Sequence, residues 1–313
     1  MNFVNFWTED MRIALKVDRD RHAWRTLGGT DKRCLISHRL LCYIWVVLCV
    51  SCQPGVGSGP PVASEQVPAR STASVSGSTS ATAKRSPDNP PQIQPVQLPK
   101  LGAGVHQQMV SLQSGRELRY TISVPNDDKR ASPLPLVVAL HYGGEVTPFY
   151  GQGLIDELVG PAFQSLGAVL VAPDSLGGDW QTPDNEQAVI WLTRSVIKTY
   201  AIDPKRIALT GYSMGGMGTW FIGSRHPDLF TAAIPVAGAP AGEETWKIPL
   251  YVIHSKDDEV LPIGETRSYV EKLKAKGIDA QWRELTGITH YQVSSFTPAL
   301  AEAVPWLRQG SKP

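Results

Sequence analysis

The chain has 313 residues, a formal net charge of +1 and four cysteines, the last of which is Cys52. Residues 1–52 carry eight basic and five acidic side chains, residues 53–100 carry four and two, and residues 101–313 carry 18 and 22. A mildly acidic body without a basic stripe lacks the electrostatic footprint of a nucleic-acid-binding protein. Because no cysteine follows Cys52, the remainder cannot be a disulfide scaffold, a cysteine-ligated zinc ribbon or a cysteine-nucleophile enzyme.

Residues 40–50, LLCYIWVVLCV, form an unbroken apolar run that follows a basic segment. The run is shorter than the ~20 helical residues that span a bilayer, but it fits the apolar core of a secretory signal. The letters CVSC, ending at Cys52, resemble a bacterial lipobox with Cys49 in place of the usual leucine. The resemblance implies an extracytoplasmic cell-envelope lipoprotein attached to the membrane through a lipidated Cys52. The alternatives are a plain cleaved signal, which gives a secreted protein, and a core strand.

Residues 53–100 contain 24 Pro, Ser, Gly and Thr residues and no Phe, Trp or Tyr. Such a segment cannot bury enough apolar surface to offset the entropy lost on ordering, so we predict a disordered linker. The sequence therefore predicts three parts: an N-terminal extension with a signal or lipoprotein-type segment (1–52), the linker (53–100) and a folded domain (101–313).

The folded domain begins with residues 117–124, whose alternation of polar and apolar side chains predicts a strand with one solvated face. Short continuous apolar runs predict strands buried on both faces, at residues 135–140, 167–172, 207–210, 232–236 and 249–253. The predicted helices are residues 186–200, 214–224, 265–276 and 298–308, with another strand-like stretch at 280–284. This alternation predicts an α/β domain with a mostly parallel central sheet and helices on both faces. Functional residues in such sheets lie in loops at the carboxyl ends of the strands.

The motif GYSMGG, residues 211–216, follows one of these strands and precedes a helix. A nucleophile on a sharp strand-to-helix turn needs glycine two residues to either side, because larger side chains would collide with neighbouring backbone. We therefore predict that Ser213 is a nucleophile, placed at the positive end of the following helix. An ordinary glycine-rich turn is the alternative.

A serine hydroxyl needs a neighbouring base, and on this type of fold the triad runs Ser, acid, His along the chain. Three histidines follow Ser213. His226 belongs structurally to the end of the next helix, and His254 precedes every candidate acid. His290 is therefore the predicted base.

The acid is expected after the 249–253 strand, where three carboxylates stand at residues 257–259. The residue types alone do not choose between Asp257 and Asp258.

From about residue 115 to 310 the chain resembles the serine α/β-hydrolases, with its most specific stretch at residues 202–230. It is similar to their esterase group, which includes phospholipase/carboxylesterase-type enzymes and the polyhydroxyalkanoate depolymerase and feruloyl esterase relatives. The resemblance implies an α/β-hydrolase fold. In these families the acid lies in an H-G-x-x-D-x-x-V-P pattern, which residues 254–262 match with Ser255 for glycine and Leu261 for valine. This match favours Asp258 over Asp257.

The segment from His141 to Gly144, HYGG, resembles the family's oxyanion-hole turn. The resemblance implies that the backbone N–H groups of Met214 and Gly143 bind the negative oxygen of the tetrahedral intermediate. Tyr142 stands where relatives commonly have glycine, and His141 is interpreted as a residue that holds the loop.

Tyr142, Tyr212 and Trp180 are the candidate substrate-pocket residues, and a packed loop aromatic is the alternative for Trp180. The sequence has no Walker loop, no H-E-x-x-H and no G-x-G-x-x-G after a strand, so we predict neither a metal site nor a nucleotide cofactor.

These features predict a serine carboxylic ester hydrolase that forms an acyl-enzyme on Ser213 and acts on a small-molecule or polymer-borne ester. One alternative is a prolyl-oligopeptidase-like serine peptidase, since such catalytic domains also carry G-x-S-x-G-G. Those peptidases usually have an additional gating domain, for which a 48-residue linker is too short, so the esterase is favoured. The other alternative is a non-catalytic surface binding lipoprotein on a hydrolase fold.

Overall fold

A computed structural model of the chain describes residues 94–126, 133–240 and 245–309. The predicted signal segment, the predicted lipidation site Cys52 and most of the predicted linker lie outside the described residues. Among the residues described, no helix combines the length and apolarity needed to cross a membrane.

A single mixed sheet forms the centre of the described part of the chain. Its strands are β1 (Gly104–Ser111), β2 (Glu117–Val124), β3 (Leu134–Leu140), β4 (Val169–Pro173), β5 (Ile202–Tyr212), β6 (Ala232–Val236), β7 (Leu250–Ser255) and β8 (Ala280–Leu285). They are ordered β1-β2-β4-β3-β5-β6-β7-β8. β1–β2 and β2–β4 pair antiparallel and the remaining neighbours pair parallel. The prediction of a mostly parallel sheet is confirmed.

Helices cover both faces of this sheet, as predicted. They are α1 (residues 151–163), α2 (Pro183–Thr199), α3 (Met214–Arg225), α4 (Ile263–Ala275), α5 (Thr297–Ala301) and α6 (Ala303–Gln309), with a 3-10 turn at Val293–Phe296. One apolar core joins the sheet to α2, α3 and α4 through Val189, Trp220 and Val270. The second core joins the other face to α1, α5 and α6 through Leu158, Leu300 and Val304. The architecture is the α/β-hydrolase fold.

Two elements have no counterpart in the sequence prediction. β1 is an edge strand whose side chains are exposed or half-buried, so it lacks an apolar pattern and is held by pairing with β2. α1 consists of Gly151–Leu154, a π turn at Ile155–Val159 and Gly160–Phe163. Its glycines and Pro161 are poor helix formers, which explains why the pattern does not predict a helix.

The predicted helix 298–308 is broken between α5 and α6. Pro305 lacks the N–H that would bond to the carbonyl of Ala301, and its ring crowds that carbonyl. Because the first turn of a helix needs no such bond, Pro305 fits after a new start at Ala303.

The start of the folded domain also differs from the prediction. Residues 94–100, assigned above to the linker, lie against α2, and Leu98 is only 5% exposed. The N–H groups of Val96 and Leu98 donate to Ser195 Oγ (3.1 Å) and Thr199 Oγ1 (2.9 Å). These contacts hold residues 94–100 against the folded domain, because the two hydroxyls order a proline-rich strip whose composition resembles a linker.

Candidate active site

Ser213 lies between β5 and α3 in a backbone conformation that side chains rarely adopt, with φ +55° and ψ −116°. A Cβ on Gly211 would collide with the carbonyl oxygen of Gly215, and one on Gly215 would collide with the carbonyl oxygen of Leu140. The turn can therefore be built only with glycine at both positions. Strain of this kind persists only where the surroundings enforce it, and here the Ser213 N–H donates to Val236 O at 3.0 Å.

The three residues predicted as a triad lie in one hydrogen-bonded chain. Ser213 Oγ is 2.7 Å from His290 Nε2, and His290 Nδ1 is 2.7 Å from Asp258 Oδ2. Their exposed fractions are 8%, 3% and 6% for Ser213, His290 and Asp258. An ionised carboxylate only accepts, so Nδ1 carries the hydrogen and Nε2 is left to accept the serine hydroxyl. The arrangement is that of a serine nucleophile with an oriented base.

Asp258 is held as an ionised carboxylate by several donors. Its Oδ1 accepts the N–H groups of Val260 (3.0 Å) and Leu261 (2.7 Å). His254 Nε2 lies 3.3 Å from Asp258 Oδ2 and 2.8 Å from Leu261 O. Burial by itself would raise the pKa of Asp258, but hydrogen bonds from His254, His290 and the Leu261 N–H outweigh it and hold this pKa well below its ordinary value. The carboxylate is therefore ready to orient and stabilise an imidazolium at neutral pH.

The main chain of His290 is fixed on both sides. Its N–H donates to Glu259 Oε2 at 3.0 Å, and its carbonyl accepts from the Tyr212 hydroxyl at 2.6 Å. Burial raises the pKa of Tyr212 well above its ordinary value, and the charges of Asp258 and Glu259 raise it further. Tyr212 therefore remains a neutral hydrogen-bond donor.

The loop after β3 is anchored by His141, whose side chain is fully buried. Its Nε2 accepts the Ser175 N–H at 3.0 Å, and its Nδ1 donates to the carbonyl of Tyr142 at 2.7 Å. Burial lowers the pKa of His141 to about 4, although the bond to the Tyr142 carbonyl opposes this shift. The ring is therefore neutral at pH 7 and acts as a brace for the loop.

The predicted oxyanion-hole residues lie in segments that meet beside Ser213. Met214 is the first residue of α3, where backbone N–H groups have no carbonyl partner within the helix. A Cβ on Gly215 would also touch the carbonyl of His141, which places the start of α3 against the turn that carries Gly143. The start of a helix is a favourable site for a developing negative charge.

The three predicted pocket residues differ in exposure. Tyr142 is half-buried, with its ring centroid 5.6 Å from that of Tyr150 and 6.4 Å from that of Tyr212. Tyr212 and Trp180 are each 1% exposed. Because Trp180 Nε1 donates to His141 O at 2.9 Å and Tyr212 donates to His290, both residues support loops from beneath and present no open surface.

Two residues beside the site were not singled out from the sequence. Tyr291 follows His290 in the chain, is 36% exposed and has its ring centroid 5.7 Å from the His290 ring. Tyr150 packs edge-on against His141 at 4.9 Å. Lone aromatic residues in loops carry no spacing signal, so only the fold reveals them.

Comparison with known proteins finds a family and several esterases to which the chain is similar. The Prolyl oligopeptidase family matches residues 173–241, which contain Ser213. The chain is 30% identical over 137 residues to feruloyl esterase B from Talaromyces funiculosus, covering 39% of this chain and 37% of that protein. It is 29% identical over 134 residues to acetylxylan esterase A from Aspergillus awamori, covering 39% and 42%. It thus spans about two fifths of the length of these relatives.

Among solved structures, a thermostable esterase superposes with a TM-score of 0.59 at 29% sequence identity, covering 66% of this chain and 63% of that one. Together with the fold and the GYSMGG turn, these matches show that the chain is similar to serine α/β-hydrolases, among them esterases.

Proposed function

We propose that the chain is a carboxylic ester hydrolase that works through an acyl-enzyme on Ser213. The observation that carries this proposal is the buried hydrogen-bonded chain from Ser213 Oγ through His290 to Asp258, with 2.7 Å at each step. It joins a nucleophile, a base and an orienting carboxylate in the arrangement that acyl transfer requires.

The reaction follows from these contacts. Ser213 Oγ attacks the ester carbonyl carbon while His290 Nε2 takes its proton, and the backbone N–H groups of Met214 and Gly143 bind the oxyanion. Asp258 stabilises the imidazolium, which then returns the proton to the departing alcohol as the acyl-enzyme forms. Water repeats the sequence with His290 as base, which releases the carboxylic acid and restores Ser213.

The names of the relatives support an ester bond as the target. Because two of these relatives are named feruloyl esterase and acetylxylan esterase, feruloyl and acetyl esters are the first substrates to test, on a small alcohol or on a polymer. The Prolyl oligopeptidase match covers the nucleophile turn and neither Asp258 nor His290. Because peptidases and esterases on this fold share that turn, the match gives the peptidase alternative weak support.

A fluorophosphonate reagent followed by graded substrates tests the proposal. We expect the purified protein to be labelled, the Ser213→Ala variant to remain unlabelled, and p-nitrophenyl acetate to be hydrolysed faster than peptide p-nitroanilides. An unlabelled wild-type protein, beside a labelled reference hydrolase, would reject the catalytic proposal and leave the binding lipoprotein. Preference for the peptide substrates would favour the peptidase.

We further propose that the enzyme is extracytoplasmic and attached through a lipid on Cys52. The support is the apolar run at residues 40–50, the CVSC letters and the proline- and serine-rich spacer that follows. In bacteria fed an alkyne-tagged fatty acid, the wild-type chain and a Cys49→Ser variant should incorporate the tag, and a Cys52→Ser variant should not. Equal incorporation in all three would contradict this assignment.

A further inference from the structure

Three consecutive acidic residues each bind a different point of the loop that carries His290. Asp257 Oδ2 accepts the N–H of Gly287 at 2.5 Å, and Glu259 Oε2 accepts the backbone N–H of His290 at 3.0 Å. Between them, Asp258 accepts the imidazole Nδ1–H. The acidic run is therefore a three-point support in which one carboxylate serves the side chain and two serve the main chain.

We propose that Glu259, assisted by Asp257, is a positioning residue that fixes the main chain of His290 so that its imidazole meets Ser213 and Asp258 together. The proposal rests on the ester hydrolase function proposed above. Neither carboxylate touches the reacting atoms, so both act through His290.

The loop that carries His290 depends on these side chains because it begins after the last strand of the sheet has ended, where no neighbouring strand in the described part of the chain offers carbonyl partners. β8 stops at Leu285, whose carbonyl accepts the N–H of Lys256. Beyond that point, the N–H groups of Gly287, Thr289 and His290 donate to the side chains of Asp257, Gln292 and Glu259. A loop whose backbone donors are satisfied by side chains moves when those side chains are removed.

Glu259 has the greatest leverage among these anchors. Glu259 binds the backbone N–H of His290, the proposed base. The Tyr212 hydroxyl binds the carbonyl of the same residue, so the two side chains hold the His290 main chain from both ends. Because a misplacement of about 1 Å at a reacting group costs ~10²-fold in rate, even partial loss of this anchor should reduce turnover. Glu259 is exposed, so water can replace the lost acceptor and the fold itself should tolerate the change.

Matched variants show whether Glu259 acts through its hydrogen bond to His290 or through its negative charge. Glu259→Gln keeps an oxygen that can accept the His290 N–H, Glu259→Ala removes it, and Glu265→Ala deletes an exposed acid on the nearby α4. With p-nitrophenyl acetate we expect kcat to fall about tenfold in E259A with KM within about twofold of wild type, and E259Q to restore most of the rate. E265A should match wild type. Asp257→Ala and Asp257→Asn form the same pair, with a smaller loss because Gly287 lies three residues from the base.

Two results would overturn the inference. Equal rates for E259A and E265A would show that the anchor does not position the base. An equal loss in E259A and E259Q would assign the effect to charge and reject the hydrogen bond.

A readout without turnover keeps the inference distinct from the proposed function. In ¹⁵N-labelled protein, the amide proton of His290 should exchange with solvent about tenfold faster in E259A than in E259Q, as expected when a hydrogen bond is removed. If wild-type protein hydrolyses no ester, the proposed function fails while this comparison still decides whether Glu259 holds the loop. Equal exchange in the two variants would reject the support.

Discussion

His254 Nε2 lies 3.3 Å from Asp258 Oδ2, the same oxygen that accepts the hydrogen bond from His290. The residue excluded as the base by its order in the chain therefore contacts the proposed acid. The side chains of His254 and Asp258 are fully buried. The Nε2–H of His254 is shared between Leu261 O (2.8 Å) and Asp258 Oδ2 (3.3 Å), so its role should depend on that donor more than on ring volume.

The first prediction compares His254→Leu, which fills the space without a donor, with His254→Gln, whose amide nitrogen can occupy the Nε2 position. Losing the donor should raise the pKa of Asp258 towards its ordinary value. A carboxyl whose folded pKa is depressed stabilises the fold above its unfolded pKa, and this stabilisation disappears as pH falls through the folded pKa. Urea unfolding should therefore show His254→Leu to be less stable than His254→Gln at pH 7, with the difference shrinking below about pH 4. A difference independent of pH would point to packing alone.

The second prediction distinguishes neighbouring carboxylates. Asp258→Asn should lower kcat for p-nitrophenyl acetate by about 10³-fold or more, because an amide can donate to Nδ1 and favour the wrong imidazole tautomer. Asp257→Asn keeps an acceptor for Gly287 and should stay within about threefold of wild type. His290→Ala should abolish turnover. If Asp257→Asn were the more damaging of the two, the assignment of the acid would be reversed.

The third prediction concerns the glycines at the second position of two helices. Gly215→Ala drives a Cβ into the Leu140 and His141 carbonyls and should cost about 3 kcal/mol or more, with loss of fluorophosphonate labelling. Gly264→Ala, in α4, meets nothing within 4 Å and should be neutral or stabilising by up to about 1 kcal/mol. Chemical denaturation of both variants measures the contrast, and similar stabilities would mean that the α3 turn relaxes.

The fourth prediction follows from the buried neutral ring of His141. The pKa of His141 is about 4 in the folded chain and 6.5 ordinarily. Between these pH values the residue is protonated in the unfolded chain and neutral in the folded chain. Stability should therefore fall as pH drops from about 6.5 to 4, by up to about 3 kcal/mol from this residue. Urea titrations of wild type and His141→Gln should give a steeper pH dependence for wild type, and parallel curves would contradict it.

Sequence patterns identify the parts of this site that depend on local geometry. GYSMGG predicts the Ser213 turn because the need for glycine at residues 211 and 215 arises from contacts within and beside the turn itself. The order of nucleophile, acid and histidine along the chain then favours His290. The choice between Asp257 and Asp258 is different in kind. The residue types leave both carboxylates possible, and only the resemblance to the H-G-x-x-D-x-x-V-P pattern favours Asp258. In the fold both carboxylates bind the loop at 287–290, and Asp258 is the one that meets the imidazole.

Sequence patterns do not predict features that depend on contacts between distant parts of the chain. Trp180 reads equally well as a pocket wall or a packed aromatic, and its 1% exposure depends on α3, whose Gly218 faces it. The strip at residues 94–100 has the composition of a linker, and its order comes from hydroxyl groups about 100 residues further along the chain.

The fifth prediction tests that docked strip. Two shortened chains, beginning at residues 94 and 101, differ by the contacts of Leu98 and by the hydrogen bond from Trp191 Nε1 to Gln94 O at 2.9 Å. Removing one buried leucine and several hydrogen bonds should destabilise the shorter chain by about 2–4 kcal/mol. Leu98→Ala in the longer chain should account for about 2 kcal/mol of that loss. Because the hydrogen bonds of the strip go to Trp191, Ser195 and Thr199 of α2, kcat should be unchanged wherever the protein remains folded. Equal unfolding midpoints for the two chains would favour a domain boundary at residue 100.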